Sequence, residues 1–341
     1  MSETAESATL DTRKGQPRFM PIALTSLRVD TVTDFDLYLD LEGGQAPVLY
    51  RDKRLPFTED ILNRLRESQV RDLYIEASQE AQYQQYVERN LQALLSDERI
   101  PLSEKAGILY TSARGLVKEM LEKPTLPGGV KRCQELVENA IHFVFGSPGA
   151  FEYLLKVTSY DYYTYTHSVN VFVYSIVLAR HVDLLDYTEM SEFGLGALLH
   201  DIGKSRIDSA ILRSKGALTD EQWRIIKCHP ADGEEILNER GGVGAIALDV
   251  VRHHHEKLDG SGYPDALANG SISGFARVAA IADIFDALTT RRTYREAMSS
   301  FPSLRTMREE MKGKIDGGYF RSFVELMGKP GEILLRPGNR M

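Results

Sequence analysis

The chain has 341 residues, 43% of them hydrophobic and 26% charged, with a formal net charge of -8. This length exceeds one ordinary domain and predicts two or three, and the apolar share is enough for packed cores. The acidic balance excludes a bulk binder of DNA or RNA, which needs an excess of cations. An anionic ligand would have to be met by locally placed Lys and Arg.

The two cysteines, Cys133 and Cys228, form neither a disulfide framework nor a zinc-finger spacing. They read as reduced thiols of a cytoplasmic protein. The polar, acidic start lacks a signal-peptide core. The longest apolar stretch, 171–179, is shorter than the ~20 residues of a membrane helix, so no membrane association is expected.

Residues 1–18 read as a mobile tail rich in Ser, Thr and charge. A small α+β domain follows at 19–77. It has strand-like segments at 21–24, 36–41, 47–50 and 72–76, with a turn at Glu42-Gly43-Gly44. A helix over 58–69 carries Ile61, Leu62 and Leu65 on one face, with Thr58 as its cap. No catalytic constellation falls here, and a sensory or scaffolding role, with signalling proteins as partners, is the expectation.

Linking helices occupy 78–145. In 78–96, Tyr83, Val87, Leu91 and Leu94 form one stripe, which packs either on the chain's own core or against a second copy in a homodimer. Helices at 102–122 and 129–145 are separated by the breaker Lys123-Pro124-Thr125-Leu126-Pro127-Gly128-Gly129. The main domain boundary is placed within 124–149.

From 146 to 325 the chain reads as an all-helical domain, with a tail at 326–341. The segment 165–181 is apolar on most sides and therefore a buried helix. Asp186 with Glu189, and Thr219 with Gln222, fit capping boxes. The second of these opens a helix carrying Trp223, Ile225, Ile226 and then His229. Another helix, 243–255, ends in His253-His254-His255-Glu256. In a helix over 274–289, Val278, Ile281, Phe285 and Leu288 share one side while Asp283 and Asp286 share another. Those two carboxylates either line a site at the edge of the core or, for Asp286, form a solvated face.

His200 and Asp201 end an apolar helical run, followed by Ile202-Gly203-Lys204. Imidazole and carboxylate together suit borderline divalent metals. Four further histidines, His167, His229, His254 and His255, sit at helix ends or within buried helices, as does Asp283. So many buried titratable groups call for a metal or a dense hydrogen-bond network. His142 and His181 have no partner pattern, and His253 is ambiguous.

The order His167, His200-Asp201, Asp283 resembles the HD-domain metal-dependent phosphohydrolases. The segments His200-Asp201-Ile202-Gly203-Lys204, 208–212, His229-Pro230, His254-His255-Glu256, Asp259-Gly260-Ser261-Gly262-Tyr263-Pro264, 282–289 and Arg292-Thr293-Tyr294-Arg295 resemble the HD-GYP family of cyclic di-GMP phosphodiesterases. The resemblance runs over about 150–320. It implies an all-helical domain that hydrolyses cyclic di-GMP to pGpG or GMP through a metal centre and a bridging hydroxide. By the family pattern His167, His200, Asp201 and Asp283 hold one metal. Asp201 bridges, and His229, His254 and His255 hold the other. The nitrogen and oxygen donors suit two iron or manganese ions.

Lys204 would neutralise phosphate charge or assist proton transfer, acting in catalysis with Asp201. Arg292 and Arg295 would grip the second phosphate. Gly262, Tyr263 and Pro264 would shape the pocket mouth, and Asp286 is counted among the substrate-binding residues. Tyr163 stands where some members of the family have a Glu that recruits a third metal, so a binuclear centre is expected. Three other readings stay open: the mixed cyclic GMP-AMP as substrate, a non-catalytic cyclic-dinucleotide receptor, and a general HD nucleotidase.

Overall fold

The computed structural model describes residues 18–40, 46–158, 164–184, 186–214, 216–290 and 297–330. The chain divides into two compact units, Met1–Ile108 and Leu109–Met341. In the first, the elements are β1 (Phe19–Ala23), β2 (Thr31–Val32), β3 (Leu37–Leu39), β4 (Val48–Arg51), β5 (Pro56–Phe57), α1 (Glu59–Glu67), β6 (Asp72–Glu76) and α2 (Glu80–Ser96). An antiparallel sheet runs in the order β1-β6-β3-β4, and β2 pairs with β5. Alternation along β6 buries Leu73 and Ile75 while Tyr74 and Glu76 take the other face. Phe35, Leu37 and Phe57 join that core, as do Ile61, Leu62 and Leu65 of α1. Thr58 takes the N-cap position of α1, but its side chain accepts no hydrogen bond there.

The stripe on α2 belongs to the unit's own core. Val87, Leu91 and Leu94 are buried within the chain, and Tyr83 and Tyr86 meet Phe35 edge-on at 5.6 and 5.5 Å. The Tyr86 hydroxyl accepts the backbone N–H of Arg28 at 2.8 Å. Of the two readings of this stripe, the burial supports packing on the chain's own core. The turn at 42–44 lies outside the described residues.

The division between units falls inside α3 (Leu102–Glu122), a helix without interruption. The second unit continues with α4 (Gly129–Gly146), α5 (Ala150–Val157), α6 (Thr164–His181), α7 (Tyr187–Leu199), α8 (Ser209–Leu212), α9 (Asp220–Ile226), α10 (His229–Arg240), α11 (Ala245–His253), α12 (Gly274–Thr289), α13 (Ser300–Glu310) and α14 (Gly317–Gly328). Both expected capping boxes form, Asp186 with Glu189 on α7 and Thr219 with Gln222 on α9. The helix expected to run from Trp223 through His229 is two helices. The chain breaks at Cys228, and α10 starts afresh with Pro230 in its first turn, where a missing N–H is tolerated.

α6 is buried on all sides from Thr166 to Ala179. It packs against α7 and α12, α7 packs against α11, and α10 lies on the 3-10 turn Ile202–Arg206 that follows His200-Asp201. No helix among the described residues is long and apolar enough to cross a membrane.

Candidate metal centre

The ends of three helices and one position within each of two others bring the predicted donors together. His200 and Asp201 follow α7, His229 opens α10, His254 and His255 follow α11, His167 stands on α6 and Asp283 on α12. They form two groups, Asp201 with His229, His254 and His255, and His167 with His200 and Asp283. Within each, the nearest donor atoms all lie within 4.8 Å of one another. Asp201 also joins the groups, because its Oδ1 lies 3.2 Å from Nε2 of His229 and its Oδ2 3.4 Å from Nε2 of His200.

The histidines are oriented through their Nδ1 atoms. Nδ1 of His200 meets the carbonyl of Ala197 at 2.9 Å, Nδ1 of His229 that of Ile226 at 2.7 Å, and Nδ1 of His254 that of Val251 at 2.9 Å. Each is a contact one turn back along the chain. A carbonyl only accepts, so these three rings carry their proton on Nδ1 and turn the Nε2 lone pair inward. The lone pair of His229 then faces Nε2 of His254 at 3.2 Å and Oδ1 of Asp201 at 3.2 Å. That Oδ1 is buried and accepts no hydrogen bond of acceptable geometry. Three lone pairs converging on one buried point repel one another unless a cation lies between them. The donor set therefore fits a bound metal ion.

His167 is held differently. Its Nδ1 lies 2.7 Å from Oδ2 of Asp286, and its Nε2 lies 3.0 Å from Asp283 and 3.3 Å from Nε2 of His200. Asp286 is buried behind His167, where it also accepts from Asn170 at 2.8 Å and from Thr290 at 3.1 Å. This corrects the expectation that Asp286 binds substrate or forms a solvated face. The side chain is spent on protein partners away from the pocket.

The charges follow from this geometry. Burial disfavours the charged form of His167, but hydrogen bonds to Asp283 and Asp286 outweigh it and push the imidazole up to about 10. The pocket between those carboxylates thus favours positive charge. Burial also opposes ionisation of Asp201, yet the Lys204 ammonium holds it well below the usual carboxylate range. Asp283 is held low against burial as well, above all by its hydrogen bond with His167. Burial and neighbouring imidazoles push His254 well below its ordinary value, and burial above all pushes His255 down to about 3. Both are neutral, as metal ligands must be.

Lys204 reaches Oδ2 of Asp201 at 2.5 Å. Tyr263 stacks on His255 with ring centroids 4.7 Å apart, and Lys227 lies 5.6 Å over its ring. Gly262 sits where a Cβ would come within 2.5 Å of the backbone of Glu256 and Lys257, so only glycine permits that approach. The loop is clasped by Glu256, whose two oxygens accept the N–H groups of Asp265 and Leu267 at 2.7 and 3.0 Å. A cavity of about 290 Å³ opens beside His255 and Asp283, walled by Ala280, Ile284, Leu288 and Met311, with Lys257 at its edge. Arg292, Arg295 and Tyr163 lie outside the described residues. His253 is turned out of the centre, between Asp249 at 2.8 Å and Asp265 at 3.0 Å, and His142 pairs with Tyr187.

Residues 167–318 match the HD domain family. The protein named "Cyclic di-GMP phosphodiesterase PA4108" from Pseudomonas aeruginosa is 35% identical over 280 residues, 78% of this chain and 67% of its own length. The chain belongs to the HD-GYP family. A "3'3'-cGAMP-specific phosphodiesterase 3" from Vibrio cholerae is 40% identical over 165 residues, 48% of this chain and 35% of its own. The solved structure of Bd1817, a HDG"Y"P protein from Bdellovibrio bacteriovorus, shares the fold. Its TM-score is 0.64 at 20% identity, covering 91% of this chain and 99% of that one.

Within this HD-GYP chain, sequence reasoning passed over Asn170, Tyr110 and the clasp made by Glu256. A signal existed for Asn170, the single amide on a helix that is apolar on most sides, one turn after His167. Tyr110 gave none, because its partner is on another helix.

Proposed function

We propose that this chain hydrolyses the 3′–5′ phosphodiester bonds of cyclic di-GMP, giving pGpG and GMP, with two divalent ions, iron or manganese, as cofactors. The observation that carries the reading is the convergence of unprotonated Nε2 atoms on the unpartnered Oδ1 of Asp201. Family membership and the activity named for the Pseudomonas relative supply the substrate class. In this reading His167, His200 and Asp283 hold one ion, His229, His254 and His255 the other, and Asp201 is shared. When bound, such ions activate water near neutral pH and neutralise charge on the phosphoryl oxygens.

The chain's own groups do the rest. Lys204, tethered to Asp201, swings its ammonium to the scissile phosphate and stabilises the charge that develops there. Tyr263 and Gly262 wall the mouth and limit water. The apolar cavity beside His255 offers a seat for a purine base. A receptor that does no chemistry has no need of such a donor set.

The mixed cyclic GMP-AMP is the second reading, favoured by the likeness to the Vibrio cholerae enzyme named for it. The test is incubation of manganese- or ferrous-loaded protein with each dinucleotide, followed by chromatography, beside a His200→Ala/Asp201→Ala control. Linear products from cyclic di-GMP in the wild type alone support the first reading. Turnover confined to the mixed dinucleotide supports the second. Binding without turnover of either one rejects both.

A further inference from the structure

A buried chain of hydrogen bonds runs outward from His167. Its Nδ1 meets Oδ2 of Asp286 at 2.7 Å. Asp286 accepts on Oδ1 from the amide of Asn170 at 2.8 Å. Oδ1 of Asn170 in turn accepts from the hydroxyl of Tyr110, also at 2.8 Å. All four side chains are buried.

The chain has a direction. A carboxylate only accepts, so Asp286 must receive from both Asn170 and His167. The amide of Asn170 can meet it only with its NH₂ end, leaving its oxygen outward. An inverted amide would set oxygen against carboxylate. The hydroxyl of Tyr110, donating to that oxygen, holds the amide the right way round. The consequence reaches His167, because with Asp286 fixed as acceptor the Nδ1 proton is fixed and Nε2 is the atom offered to the centre.

We propose that Tyr110 is a positioning residue for the metal centre, acting on His167 through Asn170 and Asp286. The inference rests on the metal reading given above. Tyr110 stands just past the division between the two units, on the unbroken helix α3. The relay therefore ends on the segment that enters the second unit.

The test is the affinity of the full chain for manganese alone, read by competition with a chelating dye, for the wild type and Tyr110→Phe. Loss of a partner that orients a ligand weakens metal binding about 10–100-fold. Tyr110 acts at one remove, so about tenfold weaker binding is expected. Melting of the metal-free protein is recorded beside it. A purely structural hydroxyl would lower that melting temperature and leave manganese affinity unchanged. Affinity within twofold of the wild type overturns the proposal.

If Tyr110→Phe does not fold, Tyr110→Phe/Asn170→Leu removes the hydroxyl together with its acceptor, and takes the amide donor from Oδ1 of Asp286 as well. It should weaken manganese binding at least as much, and unaltered affinity there also refutes the relay. A wild-type turnover arm separates this from the function proposed above. Weakened manganese binding with no wild-type hydrolysis keeps the relay and loses the reaction. Hydrolysis with unweakened binding does the reverse.

Discussion

The α-carbon of Gly203 faces the carbonyl oxygen of His229 so closely that a Cβ would lie 2.0 Å from it, and 2.6 Å from the amide nitrogen of Gly233. Both neighbours are backbone, so no side chain can swing away. The turn after Asp201 and the start of α10 are fixed against each other at this point, and with them two of the donors. Gly203→Ala must push α10 outward and carry His229 from the centre. Overpacking of this kind costs about 1–3 kcal/mol. A lowered melting temperature and reduced bound manganese, measured by elemental analysis, are expected. Wild-type values for both would refute the wedge.

Lys204 is the cation nearest the shared carboxylate, with Nζ 2.5 Å from Oδ2 of Asp201. Removing a group that meets developing charge costs about 10²–10³ in turnover. Lys204→Met should lose that much in kcat on cyclic di-GMP while retaining its metal. Loss of metal in step with activity would instead make Lys204 a structural partner of Asp201.

Glu256 uses both oxygens on backbone N–H groups of the loop after it. Glutamine offers one acceptor and one donor, so Glu256→Gln sets an NH₂ against an N–H and orphans it. The expected cost is about 1–3 kcal/mol, felt locally. Hydrogen exchange at 257–268 should speed up and KM should rise, with manganese affinity kept. Unchanged exchange in that loop would count against the clasp.

Arg252 forks onto Asp265 with hydrogen bonds of 2.7 and 2.8 Å, and also reaches Glu234. The Arg252 hydrogen bonds, with His253 adding to them, bring the Asp265 carboxyl down to about 2, from 3.8. A depressed native pKa means that the folded state binds the proton more weakly than the unfolded chain. The stabilisation is therefore full above about 3.8 and is lost as pH falls through 2. The Asp265 side chain is 34% exposed, so screening limits it to below about 1 kcal/mol. Urea unfolding at pH 6 should separate wild type from Asp265→Asn by that amount. The gap should close as the pH approaches 2, and a gap independent of pH would contradict the assignment.

Every donor of the candidate centre lies in the second unit. At one hundred times its dissociation constant, manganese should stabilise that unit by about 2.7 kcal/mol per site. EDTA should reverse the gain, and the transition of the first unit in calorimetry should stay in place.

Local rules made much of this legible. The capping boxes at Asp186 and Thr219 formed as read, because a cap is settled within four residues. The helix Gly274–Thr289 follows its apolar period to the residue. Periodicity also put Asp283 and Asp286 on one side, but which of them meets the pocket depends on where α6 packs, and no local pattern carries that. Asp286, buried behind His167, is the case in point. The break before His229 is marked in the sequence only by Pro230. The two-residue strands β2 and β5 are too short to show a period. The α2 stripe showed burial without showing what does the burying.

The four oriented histidines differ in how far their orienting partners lie along the chain. His200, His229 and His254 lean on carbonyls three residues back, whereas His167 leans on Asp286, on a different helix. Three rings are thus aimed as soon as the local turns before them close, an event of about a microsecond or less. The fourth is aimed only when α12 docks on α6. The aim of His167 therefore depends on tertiary packing that the other three do not need.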